Sequence, residues 1–253
     1  MRYILLFSLS FLSLFAKSKH DPLLPKYDKR CRAMKVQHAQ IDPLKFSGHV
    51  DYFNKAVPLF IHQIWFGDKS KMPSKVKDWK EYVGLHRYVH RLWNEGDLET
   101  LETFMRPANY HYLNVMLKLE NYPAASDIVR YELLKKFGGI YFDCDFAPPR
   151  RDHNYVNLNQ IFNLTGLTVV TEHHGRSIGE SAIFVCNGIM LCPPMHPVLV
   201  SAVDQLEANI KSWHKATKNY DAMFCTGPFF LNKILWGSFN VVPITYLKDF
   251  GMD

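Results

Sequence analysis

The run Ala125–Phe146, ASDIVRYELLKKFGGIYFDCDF, places a helical pattern directly before a short apolar segment that contains two aspartates. The helix is predicted to open after Pro123 and to end before Gly138 and Gly139, since lysines occupy its last turn and glycine follows. The apolar segment Ile140–Phe146, closed by two prolines, predicts a strand. A helix that turns through two glycines into a strand is typical of a layered α/β fold.

The aspartates of this run suggest a metal site. Because side chains alternate along a strand, Asp143 and Asp145 would share one face with Tyr141. Ligands bind at the carboxyl ends of strands in open α/β sheets. Two neighbouring carboxylates repel each other unless a cation neutralises them, and oxygen ligands suit Mn²⁺ or Mg²⁺. The alternative is that the aspartates simply end a strand at the surface.

A second charged pair precedes the strand. Asp127 and Arg130 lie three residues apart, so both would face the same side of the predicted helix. The glycine turn folds that helix back towards the acidic strand, which favours one shared site. A surface ion pair of little consequence remains the alternative.

The chain as a whole has the composition of a globular protein. Of its 253 residues 47% are hydrophobic, and the formal net charge is +6 with basic residues spread along the chain. That spread argues against a nucleic-acid partner. The five cysteines have no CxxC spacing, so a structural zinc site is not expected, while one or two disulfides stay open. His86 and His90 would share one face if helical, but without a third ligand they are interpreted as ordinary histidines.

The N-terminal part differs from the rest. Residues 1–18 combine an early arginine with a short apolar run, which predicts a secretory signal peptide, with a short membrane anchor as the alternative. Residues 19–56 are polar, basic and contain proline, as a stem would be, and residues 57–253 form the predicted folded domain. The sequon at Asn163 agrees with a secretory route, in the Golgi or ER lumen or outside the cell.

Strands and helices are predicted to alternate along the folded domain. The predicted strands, besides Ile140–Phe146, are Leu59–Trp65, Tyr88–Trp93, Thr168–Thr171, Ser181–Val185 and a strand at Val241. The predicted helices are Ser74–Val83, a helical pair between Leu98 and Phe137, an amphipathic helix along Leu199–Trp213, and Phe229–Leu235.

The run Ala125–Phe146 resembles the sugar-binding region, with its DxD motif, of glycosyltransferase family 32. The resemblance continues in the same order through other segments, so that it covers roughly Val57 to Pro243. These segments are Val57–Trp65, Leu92–Glu95, Asn187–Met190 with His196-Pro197, and Thr226–Pro228.

The resemblance implies a fold and a reaction. The fold is the GT-A type, a Rossmann-like α/β/α sandwich with a mixed, mostly parallel sheet. The reaction is a metal-dependent, retaining transfer of a hexose from a UDP- or GDP-sugar to a glycan, lipid or protein acceptor. A member of this family would use Mn²⁺ or Mg²⁺ to stabilise the departing diphosphate.

The resemblance also implies roles for seven residues. Asp145 would bind the metal directly, and Asp143 would contact the metal and the ribose. Asp127 and Arg130 would hold hydroxyls of the donor sugar. The remaining donor-binding residues would be Trp65, which would stack on the base, together with Tyr141 and Asn187.

Two other functions remain as alternatives. Family members commonly supply a further metal or phosphate contact from a tail after the last strand, and no such element is identified before Asp253. An inactive nucleotide-sugar or glycan-binding protein of the same fold is therefore one alternative. A metal-dependent phosphoesterase is the other, although the further histidine and aspartate clusters of two-metal hydrolases are missing.

Overall fold

The structure is a computed structural model that describes residues 55–172, 184–235 and 240–242. The predicted signal peptide and nearly all of the predicted stem lie outside these residues, so both stay predictions. Within the described ranges, no helix is both long enough and apolar enough to cross a membrane.

Eight strands and seven α-helices are named here in chain order. The strands are β1 (Phe60–Ile64), β2 (Val89–Trp93), β3 (Gly139–Phe142), β4 (Arg150–Arg151), β5 (Asn154–Tyr155), β6 (Thr168–Glu172), β7 (Phe184–Cys192) and β8 (Asn240–Val242). The helices are α1 (Lys75–His86), α2 (Leu98–Glu102), α3 (Pro107–Lys118), α4 (Tyr122–Phe137), α5 (Pro197–Thr217), α6 (Ala222–Cys225) and α7 (Pro228–Ile234).

Six strands form the main sheet, in the order β2-β1-β3-β7-β6-β8, and β4 and β5 form a separate hairpin. Strand β1 pairs in parallel with β2 and β3, and β6 pairs in parallel with β8. Strand β7 is antiparallel to both of its neighbours, β3 and β6. The sheet is therefore mixed, as predicted, with β3 and its carboxyl end near the centre.

Helix α4 is the central helix of the fold. Ten of its residues are buried, and they include Asp127, Arg130 and Glu132. An amphipathic surface helix would keep such residues in water. A helix buried nearly all round must instead give every charged side chain a partner within the protein. Asp127 and Arg130 therefore do not form the surface ion pair that was the alternative in the sequence.

The predicted strand Ile140–Phe146 is too long. The strand covers Gly139–Phe142, and the backbone N–H of Phe146 donates to the carbonyl of Asp143 at 3.1 Å to close a turn. The carboxylates thus lie on the turn after the strand. This position explains why Asp145 is exposed although the strand itself is buried.

Several other boundaries also differ from the prediction. The helical pair between Leu98 and Phe137 is three helices, and α4 begins at Tyr122 because a proline in the first turn is compatible with a helix. Of the strand predicted at Ser181–Val185, residues 184 and 185 begin the longer β7, and residues 181–183 lie outside the described ranges. His90 lies on β2, so it does not share a helix with His86.

Candidate active site

The turn Gly138–Gly139 brings α4 and β3 side by side. Both glycines have positive φ, +63° and +97°, and a Cβ on Gly139 would lie 2.4 Å from the carbonyl oxygen of Phe60. From this turn, the helix rises about 1.5 Å per residue back to Asp127, and the strand rises about 3.3 Å per residue forward to Asp143. Ten helical residues and four strand residues cover similar distances, so the carboxylates of Asp127 and Asp143 lie at a similar distance from the turn and beside each other.

Arg130 links the two carboxylates. Its Nη2 lies 3.1 Å from Oδ1 of Asp127 and 3.0 Å from Oδ1 of Asp143. Its Nη1 donates to the carbonyl of Asn187 on β7 at 2.6 Å, and the guanidinium lies 4.4 Å from the ring centre of Tyr141. Burial alone would lower the pKa of Arg130, but the negative charge of Asp143 and its other neighbours raise it. Arg130 is therefore held as a cation.

Asp127 is enclosed by hydrogen-bond donors. The side-chain amide of Asn187 donates to its Oδ1 at 2.7 Å, and the hydroxyl of Thr226 donates to its Oδ2 at 2.8 Å. Burial raises the pKa of Asp127 to about 6, although Arg130 acts in the opposite direction. Asp127 therefore has a fixed orientation and a carboxylate that is costly to ionise.

Asp143 is held from several sides but keeps an open face. Its backbone N–H donates to the carbonyl of Gly188 at 2.8 Å, and the hydroxyl of Tyr141 donates to its Oδ1 at 2.7 Å. A Cβ on Gly188 would lie 2.8 Å from Oδ2 of Asp143, so only glycine leaves room for this carboxylate. The side chain of Asp143 is 38% exposed, which leaves it accessible to a ligand.

The arrangement fits a divalent cation. Burial and the charge of Asp143 raise the pKa of Asp145, as expected for two neighbouring carboxylates. Asp127 and Asp143 share the one guanidinium of Arg130, and Asp145 adds a third carboxylate, on which the charge of Lys75 acts. No group of three or more histidine, cysteine or acidic side chains suited to a metal occurs among the described residues. Among the described residues, the two carboxylates of the turn are therefore the candidate metal ligands.

Trp65 lies at the same edge of the sheet, one residue after β1. The carbonyl of Ile64 accepts from Sγ of Cys144 at 3.2 Å, which places the end of β1 against the Asp143–Asp145 turn. Trp65 is partly exposed, and its Nε1 donates to the carbonyl of Asp68 at 3.1 Å. It is therefore not a core tryptophan, and one part of its ring system remains open to a ligand.

The structure brings five of the predicted residues into one contact network and puts Trp65 and Asp145 at the same edge. The five are Asp127, Arg130, Tyr141, Asp143 and Asn187.

Sequence reasoning gave no role to Thr226 or Tyr131. Thr226 was noted only as the first residue of a Thr-Gly-Pro segment, and Tyr131 donates to its carbonyl at 2.8 Å. That segment was the one signal that could have identified Thr226.

No disulfide joins two of the described cysteines. Cys144, Cys186, Cys192 and Cys225 form none among themselves, and Cys31 lies outside the described ranges. Burial raises the pKa of Cys144 to about 12, so this thiol between the two aspartates stays protonated. A nucleophilic role for Cys144 is therefore not favoured.

Residues 50–162 match the family model described as "Glycosyltransferase sugar-binding region containing DXD motif". Inositol phosphoceramide mannosyltransferase 3 of Schizosaccharomyces pombe is 28% identical over 202 residues, which are 77% of this chain and 49% of that protein. Mannosyl phosphorylinositol ceramide synthase CSH1 of Saccharomyces cerevisiae is 25% identical over 73% of this chain and 43% of its own length. The chain thus spans about half the length of these curated relatives.

Among solved structures, the PaToxG glycosyltransferase aligns with a TM-score of 0.53 over 84% of this chain and 79% of that chain. The sequences are 20% identical in this alignment, so the likeness concerns the fold alone. It confirms the predicted GT-A type fold.

Proposed function

We propose that this chain, which is similar to the glycosyltransferases with a DXD-containing sugar-binding region, transfers a hexose from a nucleotide diphosphate sugar to an acceptor hydroxyl. The observation that carries the proposal is the single ion-pair network that joins Asp127, Arg130 and Asp143 at the carboxyl end of β3. A buried, oriented carboxylate can hold the sugar, and the exposed one beside it can hold the diphosphate through a bound cation.

In this proposal the donor sugar is held by Asp127 and Arg130. Sugar hydroxyls both donate and accept hydrogen bonds, so a fixed carboxylate and a fixed guanidinium orient them together. Positioning of this kind lowers the barrier because the reacting groups are already aligned. Trp65 would stack on the base, since a flat, partly exposed indole covers a base with little loss of entropy.

Asp143 and Asp145 would hold Mn²⁺ or Mg²⁺ in the same proposal. When bound, the ion would stabilise the negative charge of the leaving diphosphate as a Lewis acid. The chain's own contribution is to fix the turn that carries both carboxylates, through Gly188 and Tyr141.

Transfer would occur with retention at the anomeric carbon. Both oxygens of Asp127 are occupied by neighbouring donors, which suits a positioning role better than attack on the sugar. We therefore favour substitution by the acceptor on the face from which the diphosphate leaves.

The donor and acceptor can be ranked by the relatives. Two of them are named for mannosyl transfer to inositol phosphoceramide. GDP-mannose and a glycolipid are accordingly the first pair to test, before UDP-hexoses and glycan or protein acceptors.

The test is incubation of the expressed chain with a panel of nucleotide sugars, Mn²⁺ and an acceptor mixture. We expect one donor to release nucleoside diphosphate well above the rate without protein, and EDTA to abolish the release. Binding of a donor in a calorimeter without product would instead identify the non-catalytic binding protein. Hydrolysis of a simple phosphodiester would favour the phosphoesterase.

A secretory location is proposed on the basis of Asn163. This residue is exposed, and its side-chain oxygen accepts from the hydroxyl of Thr165 at 3.0 Å, so the sequon is accessible. Expression in secretory cells is expected to give a product whose mass falls on treatment with an N-glycosidase. An unmodified product retained in the cytosol would contradict both the route and the signal peptide.

A further inference from the structure

A chain of side-chain hydrogen bonds crosses three neighbouring strands just before the acidic turn. Nε2 of His90 on β2 lies 2.9 Å from Oε1 of Gln63 on β1. Nε2 of Gln63 donates to the backbone carbonyl of Asp143, after β3, at 3.3 Å. Gln63 is fully buried, and neither residue has a place in the proposed chemistry.

The direction of these hydrogen bonds is fixed by the backbone carbonyl of Asp143. A carbonyl oxygen only accepts hydrogen bonds, so the Gln63 amide must turn its NH₂ group towards Asp143. Its oxygen then faces His90, which must carry a hydrogen on Nε2. Burial lowers the pKa of His90 to about 4, so at neutral pH this is the neutral Nε2–H tautomer. His90, as the donor to the amide oxygen, thereby stabilises the orientation that the Asp143 carbonyl requires.

The Asp143 peptide is the point at which the strand becomes a turn. Its N–H is tied to Gly188 on β7, and its carbonyl accepts from Phe146 within the turn and from Gln63 on β1. Of these contacts, only the one from Gln63 holds the carbonyl towards β1. The thiol of Cys144 at the Ile64 carbonyl and the indole N–H of Trp79 at the Phe146 carbonyl hold other parts of the turn. Loss of the Gln63 bond would therefore loosen the Asp143 peptide, and with it the position of its carboxylate, without releasing the whole turn.

We propose that Gln63 is a positioning residue, which holds the Asp143–Phe146 turn in register with β1, and that His90 orients its amide. Hydrogen exchange of the turn reports this role directly. Affinity for Mn²⁺ is a second readout, and that readout rests on the proposed metal role of Asp143 and Asp145.

The first experiment compares Gln63→Met and Gln63→Glu with the wild-type chain. Methionine keeps the length of the side chain but makes neither hydrogen bond, so peptides covering residues 139–146 are expected to exchange about fivefold faster, the equivalent of one neutral hydrogen bond. Mn²⁺ affinity, measured without donor by electron paramagnetic resonance, is expected to fall by a similar factor. Gln205→Met is the control, because it removes an amide hydrogen bond on α5.

Gln63→Glu separates positioning from charge. Its carboxylate can still accept from His90 but cannot donate to Asp143, so the turn is expected to loosen as in Gln63→Met. If charge alone mattered, the added carboxylate would tighten Mn²⁺ binding. Tighter Mn²⁺ binding in Gln63→Glu, together with hydrogen exchange of the turn at the wild-type rate, would overturn the proposal.

A matched pair at His90 provides a milder test in case the Gln63 variants fold poorly. Gln and Asn place their amide nitrogens near the Nε2 and Nδ1 positions of histidine, respectively. We therefore expect His90→Gln to keep wild-type exchange, and His90→Asn to speed exchange over residues 139–146. Equal exchange in the two variants would refute the role of His90. A wild-type chain that binds no Mn²⁺ would refute the metal role, while the exchange data would still decide the positioning role.

Discussion

Replacing Asp127 by asparagine is expected to lower turnover about 100- to 1,000-fold, the usual cost of losing an oriented charged contact to the reacting group. Binding of the free nucleoside diphosphate is expected to change little, because the base, ribose and metal contacts are assigned to Trp65, Asp143 and Asp145. The split between lost turnover and retained diphosphate binding is what distinguishes a sugar-holding residue from a structural one.

The surroundings of Asp127 can accept asparagine. The oxygen of the amide would still accept from Asn187 and Arg130, and its NH₂ group would donate to Thr226. The hydroxyl of Thr226 can turn to the carbonyl of Ala222, which lies 3.3 Å away. Because Arg130 keeps its ion pair with Asp143, no buried charge is left without a partner.

The pKa of Asp127 gives the sign of the stability change. Its folded-state pKa, about 6, lies above the usual value of 3.8. The unfolded chain therefore loses this proton at lower pH than the folded one, and stability falls as pH rises through that window. Asparagine removes this cost, so the free energy of unfolding at pH 7 is expected to be unchanged or higher in Asp127→Asn.

Steady-state transfer rates, calorimetry with the nucleoside diphosphate and thermal unfolding are the three measurements. Glu132→Gln is the control, since Glu132 is a buried carboxylate of the same helix that pairs with Asn109 at 2.7 Å, on another face. Transfer by Asp127→Asn within a few-fold of wild type would contradict the sugar-binding assignment.

The sequence predicted local features of this fold well. The sequence patterns gave β1, β2, β6 and α5 within a few residues. Strand β1 is a short run buried on both faces, and α5 buries one regular helical face. The glycine turn was also predictable, since both glycines adopt positive φ, and Gly139 in addition approaches the backbone of β1 closely.

The partners of the buried charges could not be predicted from local patterns. Thr226 donates to Asp127 across 99 positions of sequence, and Gln63 donates to Asp143 across 80. A helical period of 3.6 places Asp127 and Arg130 on one face but does not say that the face is buried. The end of β3 at Phe142 depends in the same way on a contact with Gly188, which lies on a strand predicted only in its first residues.

Replacing Asp145 by asparagine is expected to weaken Mn²⁺-supported donor binding about 100-fold or more, because one of the two carboxylates offered to the ion loses its charge. Folding is expected to survive. Burial and the charge of Asp143 raise the folded-state pKa of Asp145, so its ionisation costs stability above its usual pKa and asparagine relieves that cost.

Calorimetric titration of the donor, with and without Mn²⁺, measures this effect in the folded variant. Asp152→Asn is a matched control: Asp152 is an exposed aspartate with φ +51°, a conformation that asparagine also adopts readily, in the β4–β5 hairpin. If the metal role is correct, Mn²⁺ strengthens donor binding in the wild type and in Asp152→Asn but not in Asp145→Asn. An unchanged response to Mn²⁺ in Asp145→Asn would mean that Asp145 is only an exposed residue of the turn, and that the ion, if used, is held elsewhere.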